Sequence, residues 1–523
     1  MRFIVGALLC AFVASPAAAE WWEAETEHFI VYSDTNDRQA RELAVRLERF
    51  DEAMRFLQGM KDEEQALPRA TKLTLYHFGS VDDIGRLYSD RGSPVAGFFM
   101  ARAGNSVAFA PVEDESRSAR NRSMQRSSRS GDQFADAVVL HEYAHYFMFQ
   151  HAPAAYPAWY TEGFAEVYST LVMNDDGFRI GEPPTHRGAV LDYYAAYPVD
   201  RLLNPPPLEE RQQRDNMQLY GLGYLLAHYL TFSGERPGQL RQYLDLINAG
   251  STEREAAEGA FGDLDQLDKE MDAYRTRSRL PVRDITFDDY ELPDVETRRL
   301  NEADVAQMSL QIQSQRGVSK ERAAELVPEA RALATRYPDS ARVMLTVTEA
   351  EFDADNLAEA EAAARRVLSI DPQSAAAHLF LARIAMERGE DDPAQYAVAR
   401  DAYVTANRLE PRNPAVLYGI YRTYAAAGDE MPKSAIEALD EAQYLAGFDD
   451  GIRLELASMQ LWLGDGPFAV ELLGPLLHDP HRLERGEKLK AVVAAIQDGD
   501  LEAASQRLEA YGQDDEEDDE EEA

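Results

Sequence analysis

Val138-Val139-Leu140-His141-Glu142-Tyr143-Ala144-His145-Tyr146-Phe147 is the stretch that organises the rest of the chain. His141 and His145 are four residues apart, so on a helix both imidazoles leave one face, a turn apart. Two stacked imidazoles, a third ligand from elsewhere and a fourth position left to water describe a catalytic zinc site. Glu142 lies about 100° round such a helix, where a carboxylate can take a proton from water at the metal. It is the only formally charged residue of the ten, as expected of a buried helix that holds a metal. Further along, Trp159-Tyr160-Thr161-Glu162-Gly163-Phe164-Ala165-Glu166 sets two carboxylates four apart on a second expected helix.

Taken together, these residues resemble the gluzincin metallopeptidases, the thermolysin and aminopeptidase N relatives grouped as peptidase MA-like. The resemblance implies one zinc ion on His141, His145 and Glu162, with Glu142 as general base. It also implies that the Glu166 carboxylate orients a ligating histidine through its other ring nitrogen. The match covers roughly the first half of the chain. The fold class it implies is α+β, a small mixed sheet with metal-bearing helices.

Around this centre the chain divides by composition. Residues 1–19 combine Arg2, an apolar run from Phe3 to Val13 and Ala17-Ala18-Ala19, the pattern of a secretory signal peptide. That run is too short to span a bilayer, and no later stretch reaches the length of a membrane helix. Cys10 is the only cysteine, so a processed chain has no disulfide. The expectation is an exported protein, periplasmic or secreted, with no integral membrane segment. The formal net charge of −40 disfavours nucleic acid and anionic membranes as partners.

Residues 20–275 are expected as the metallopeptidase-like domain. Glu25 to Ser33 and Lys72 to Phe78 read as strands, and Asp34 to Gln58 and Val81 to Tyr88 as helices. Val95 to Met100 and Ser106 to Pro111 read as a hairpin. In gluzincins an edge strand at this place pairs with an extended peptide, which makes Ser106 to Pro111 the candidate substrate strand; an ordinary sheet strand is the alternative. The Gly-x-Met-Glu-Asn motif by which aminopeptidases of the group capture an amino terminus is absent. The Arg/Ser-rich stretch 113–133 reads as a loop, either a flap over the cleft or a solvated insertion. Gluzincins also place a tyrosine or histidine downstream to hold the oxyanion. Tyr220 is the first choice for that role, Tyr224 the second and His186 the third, against a reading in which these rings merely pack.

Residues 276–297 carry proline and charge with little periodicity and read as a linker. Beyond them Pro338 and Pro372 are 34 residues apart and Pro411 follows 39 further on, each closing a helix pair. With Ala360, Val367, Ala399, Tyr403 and Ala406 at recurring positions, residues 298–512 resemble tetratricopeptide (TPR) repeats, an all-α solenoid. Such a stack offers a groove to a protein partner or peptide; its alternative role is a structural annex. Residues 513–523, nearly all acidic, are expected to be a disordered tail.

The function expected is that of an exported zinc-dependent peptidase acting on peptides or unfolded protein recruited by the repeats. The competing reading is a catalytically silent TPR adaptor with a metallopeptidase-like binding domain. Because ligating imidazoles must be neutral, metal and activity are expected to fall away below about pH 6.

Overall fold

Residues 29–33, Phe-Ile-Val-Tyr-Ser, form a strand buried along its whole length, the pattern of a strand covered on both faces. The computed structural model describes residues 20–60, 67–89, 92–93, 95, 97–112, 132–184, 197–206, 210–288, 290–478 and 483–522, with the backbone alone at 132–136, 478, 483–484 and 513–522. The main sheet contains β1 (Trp22–Glu25), β2 (Phe29–Ser33), β3 (Leu73–His77), β4 (Phe98–Met100), β5 (Val107–Ala110) and β9 (Glu296–Arg299), in the order β4-β5-β3-β2-β1-β9. β2, β3 and β5 run parallel, and the other pairings are antiparallel. A smaller antiparallel sheet joins β6 (Val172–Asn174), β7 (Gly177–Ile180) and β8 (Arg283–Thr286).

The period-2 alternation of the main sheet sends its two faces to different covers. Phe29, Val31, Leu73, Leu75, Ala108 and Ala110 share a core with α1 (Asp37–Leu57), α3 (Asp132–His151) and α4 (Ala158–Tyr168). α1 starts where the Asn36 side chain accepts the Gln39 backbone N–H, and α2 (Val81–Tyr88) opens on a Ser80/Asp83 capping box. α5 (Val199–Leu203), α6 (Gln213–Phe232), α7 (Gln239–Asn248), α8 (Glu253–Phe261) and α9 (Leu264–Arg275) complete this half.

Two expectations change here. The stretch 276–297, read as a linker, carries β8 and the start of β9, which extend both sheets. Arg-Asp-Ile-Thr and Glu-Thr-Arg-Arg are mostly exposed edge strands, so backbone pairing rather than apolar alternation defines them. The candidate substrate strand is also misplaced. The hairpin forms, with Phe98 opposite Phe109, but β5 lies between β3 and β4. Its Val-Ala-Phe-Ala run is buried throughout because it is internal; the edge belongs to β4.

The rest of the described chain is helical pairs: α10 (Glu302–Arg316) with α11 (Lys320–Arg336), α12 (Ala341–Asp353) with α13 (Leu357–Ile370), and α14 (Ala375–Gly389) with α15 (Gln395–Leu409). Next come α16 (Pro414–Ala427) with α17 (Lys433–Leu445), α18 (Asp450–Leu463) with α19 (Gly466–Leu473), and α20 (Leu483–Gln497) with α21 (Leu501–Glu522). Pro338, Pro372 and Pro411 follow the ends of α11, α13 and α15, where a residue lacking an N–H costs no helical hydrogen bond. The acidic tail, expected to be disordered, continues the backbone helix of α21 through Glu522. Leu508 and Tyr511 anchor the turns before it in the last core, so the helix is already nucleated when the acidic run begins.

The solenoid folds back on the first half. Ile30, Tyr32, Tyr76, Val107 and Phe109 on the second face of the sheet form one core with Met308 and Ile312 of α10. Tyr76 Oη accepts from Gln311 at 2.7 Å, Arg102 donates to the carbonyl of Gln315 at 2.7 Å, and the Ala103 N–H donates to Asp449 at 3.1 Å. α10 and the start of α18 therefore hold the chain's own sheet and hairpin turn. This gives the annex reading real contacts alongside the binding one.

Candidate metal centre

α3 is built to be buried. His141 and His145 keep only 8% of their surface exposed each, and Tyr143 between them donates from its hydroxyl to the buried Asp51 of α1 at 2.7 Å. Asp51 also accepts from Arg55 at 2.5 Å. This pair fixes the rotation of α3 about its axis, which sets where both imidazoles point. Burial pushes the Tyr143 hydroxyl well above its usual pKa, so it stays a donor.

The two imidazoles meet at Nε2, 3.1 Å apart. Glu162 reaches them from α4, with Oε2 3.3 Å from His141 Nε2 and 3.5 Å from His145 Nε2. Zinc bonds to nitrogen and carboxylate oxygen are about 2.0–2.1 Å, so an edge of a zinc tetrahedron is about 3.3 Å. All three atom pairs lie at that separation, and two neutral imidazoles with one carboxylate are a donor set zinc takes. The residues fit the ion that the sequence implies.

Glu166 sits one turn beyond Glu162, fully buried, with Oε1 3.5 Å from His141 Nδ1. That position favours the tautomer with its proton on Nδ1 and its lone pair on Nε2. Glu142 follows His141 and is half-buried. The Tyr220 ring of α6 stands 6.0 Å from the His141 ring, so the first-choice tyrosine does arrive beside the cluster. The Tyr224 hydroxyl is engaged with the backbone: it donates to the Glu182 carbonyl at 3.4 Å, and its ring packs near His228. His186 and the stretch 113–131 lie outside the described residues.

A second grouping, Glu27, His28 and Glu48, is also close enough to share an ion. Here an ion pair accounts for the arrangement. Glu48 accepts from the His28 backbone N–H at 3.0 Å and contacts its ring, while Glu27 is exposed. Burial disfavours a charged His28, but Glu48 and Asp51 outweigh it and raise its pKa.

The sequence reading did not single out Gly163 and Gly223. A Cβ on Gly223 would meet the Trp159 carbonyl oxygen at 2.7 Å, so α4 and α6 cross nearly backbone to backbone. A glycine inside each expected helix was the available signal.

A tetratricopeptide repeat family model matches residues 351–400, from the end of α12 into α15. Among solved structures, the chain is similar to MamA 41-end from Desulfovibrio magneticus RS-1, at 17% identity over 33% of this chain and 92% of that one, with a TM-score of 0.27. It is similar also to the MamA RS-1 ArsTM double mutant, at 16% identity over 36% and 97%, with a TM-score of 0.27. No curated protein matches. The family match and the stacked pairs make the second half a tetratricopeptide-type helical repeat, an architecture that serves protein–protein contact. Among the described residues no helix is long and apolar enough to cross a membrane.

Proposed function

We propose that the chain is an exported, zinc-dependent peptidase of the gluzincin type, hydrolysing peptide bonds in peptides or unfolded protein. The observation that carries this reading is the triangle of His141 Nε2, His145 Nε2 and Glu162 Oε2, with edges of 3.1, 3.3 and 3.5 Å.

Bound zinc supplies Lewis acidity and makes water a competent nucleophile near neutral pH. The protein's own groups do the rest. Glu142 takes the proton of the attacking water and returns it to the departing amine. Glu166 holds the His141 ring with its lone pair toward the ligand point. Tyr220 donates its hydroxyl proton in a hydrogen bond to the oxyanion of the tetrahedral intermediate. With β5 internal, we assign the extended substrate to the edge strand β4, beside Gly97, where an added Cβ would stand 3.6 Å from Val138 of α3. The repeats hold a protein segment near the cleft and raise its local concentration.

Glu142→Gln tests the assignment on a peptide library and on unfolded protein. The variant is expected to keep its zinc and lose cleavage by about a thousandfold or more. Cleavage at the wild-type rate removes Glu142 as the base.

A further inference from the structure

A cavity of about 480 Å³ lies where the C-terminal half of α3 meets the solenoid. Neither His141, His145 nor Glu162 lines it, so it is distinct from the metal centre. Its size is that of a small-ligand site. Tyr146, Leu456, Phe468 and Leu472 give it apolar walls, and Arg453 of α18 lies among them, only 2% exposed. One guanidinium nitrogen of Arg453 donates to the Leu472 carbonyl at 3.3 Å and another to the Gly447 carbonyl. Both acceptors belong to cavity-lining residues, and both are neutral. Burial lowers the Arg453 pKa to about 10 against the opposing charges of Asp450 and Asp449. A cation so deeply buried among carbonyls gains strongly from an anion brought to it.

The charges on the rim have the opposite sign. Asp440 and Glu471 line the same cavity and are exposed. The neighbouring cations are engaged elsewhere: Arg55 with Asp51 at 2.5 Å, Arg412 with Glu441 at 3.6 Å, and His28 with Glu48. His151 is kept neutral by burial, its pKa lowered to about 4. The cavity thus offers a buried positive end, apolar walls and an acidic mouth.

We propose that this cavity binds a short apolar peptide by its free C-terminus, the carboxylate on Arg453, the side chains on the apolar walls and the ammonium group at Asp440 and Glu471. The site does not depend on the metal reading. It does touch the same helix: Tyr146 follows His145 directly, and Gln150 exchanges hydrogen bonds with Gly447 N–H at 2.9 Å and the Tyr444 carbonyl at 3.1 Å.

Calorimetric titration of the full chain, stripped of metal so that no turnover intervenes, tests this with the dipeptide Leu-Phe, its C-terminal amide, its N-acetyl form and octanoate. Leu-Phe is expected to bind saturably, with the amide at least about tenfold weaker. Arg453→Met, an apolar replacement of similar length, is expected to lose the preference for the free acid. Asp440→Asn/Glu471→Gln, at the exposed mouth where folding is safe, is expected to weaken Leu-Phe and leave N-acetyl-Leu-Phe unchanged. Equal binding of acid and amide, no saturation up to about 10 mM, or a double variant with wild-type affinity for Leu-Phe overturns the proposal. Octanoate binding more tightly than the dipeptide overturns the peptide as occupant.

Discussion

Gly163 of α4 and Gly223 of α6 pass so closely that a Cβ on Gly163 would stand 2.5 Å from the Gly223 carbonyl oxygen. Glu162 and Glu166 flank one of these glycines in sequence, and Tyr220 lies a turn before the other. The crossing therefore joins the helix that supplies the carboxylates to the helix that supplies the tyrosine. Gly163→Ala is expected to push the helices apart, costing about 1–3 kcal/mol of stability and weakening zinc retention. Urea unfolding and chelator competition read the two effects. An unchanged variant would show that the contact relaxes without cost.

In the proposed centre Glu166 bears on the ligands through the His141 ring. Glu166→Gln keeps the shape and removes the charge 3.5 Å from Nδ1. Zinc affinity is expected to fall by about 10–100-fold while the fold persists. Competition against a chelator of known affinity measures this, and wild-type affinity would dissociate Glu166 from the site.

Glu23 ties the first strand to β9 and to the solenoid, contacting Arg298 at 2.6 Å and Arg342 at 3.2 Å. Burial pushes its carboxyl up, but the Arg298 hydrogen bond and the charges of Arg69 and Arg342 outweigh it and hold the pKa at about 2, from an ordinary 4.5. A depressed carboxylate pKa adds stability that is fully present above the unfolded value and is lost as pH falls through the folded one. The stability gap between wild type and Glu23→Gln is therefore expected to shrink as pH drops from about 5 toward 2, by at most about 3 kcal/mol. Urea unfolding across that range checks it. A gap that widens on acidification contradicts the assignment.

Much of this architecture can be read along the chain where spacing carries the information. His141 and His145 at i, i+4 and the 34-residue interval from Pro338 to Pro372 are local regularities, and regularities of that kind survive without knowledge of tertiary contacts. Position across a sheet is different. Val107 to Ala110 is apolar whether it lies at an edge or inside, so only the pairing with both β3 and β4 reveals that it is internal. Arg283 to Thr286 and Glu296 to Arg299 hide as strands for the converse reason, since they are stabilised by backbone partners while their side chains stay polar. The contact between Gln150 and Gly447 spans nearly 300 residues and leaves no trace in either neighbourhood.

Three ligand atoms from α3 and α4 are proposed to hold one metal ion. The direct measurement is the metal content of the dialysed full-length chain beside His145→Ala, with folding of both checked by circular dichroism. About one zinc per chain in the wild type and none in a folded variant is the predicted result. A wild type without zinc, or a folded His145→Ala variant that retains it, contradicts the account.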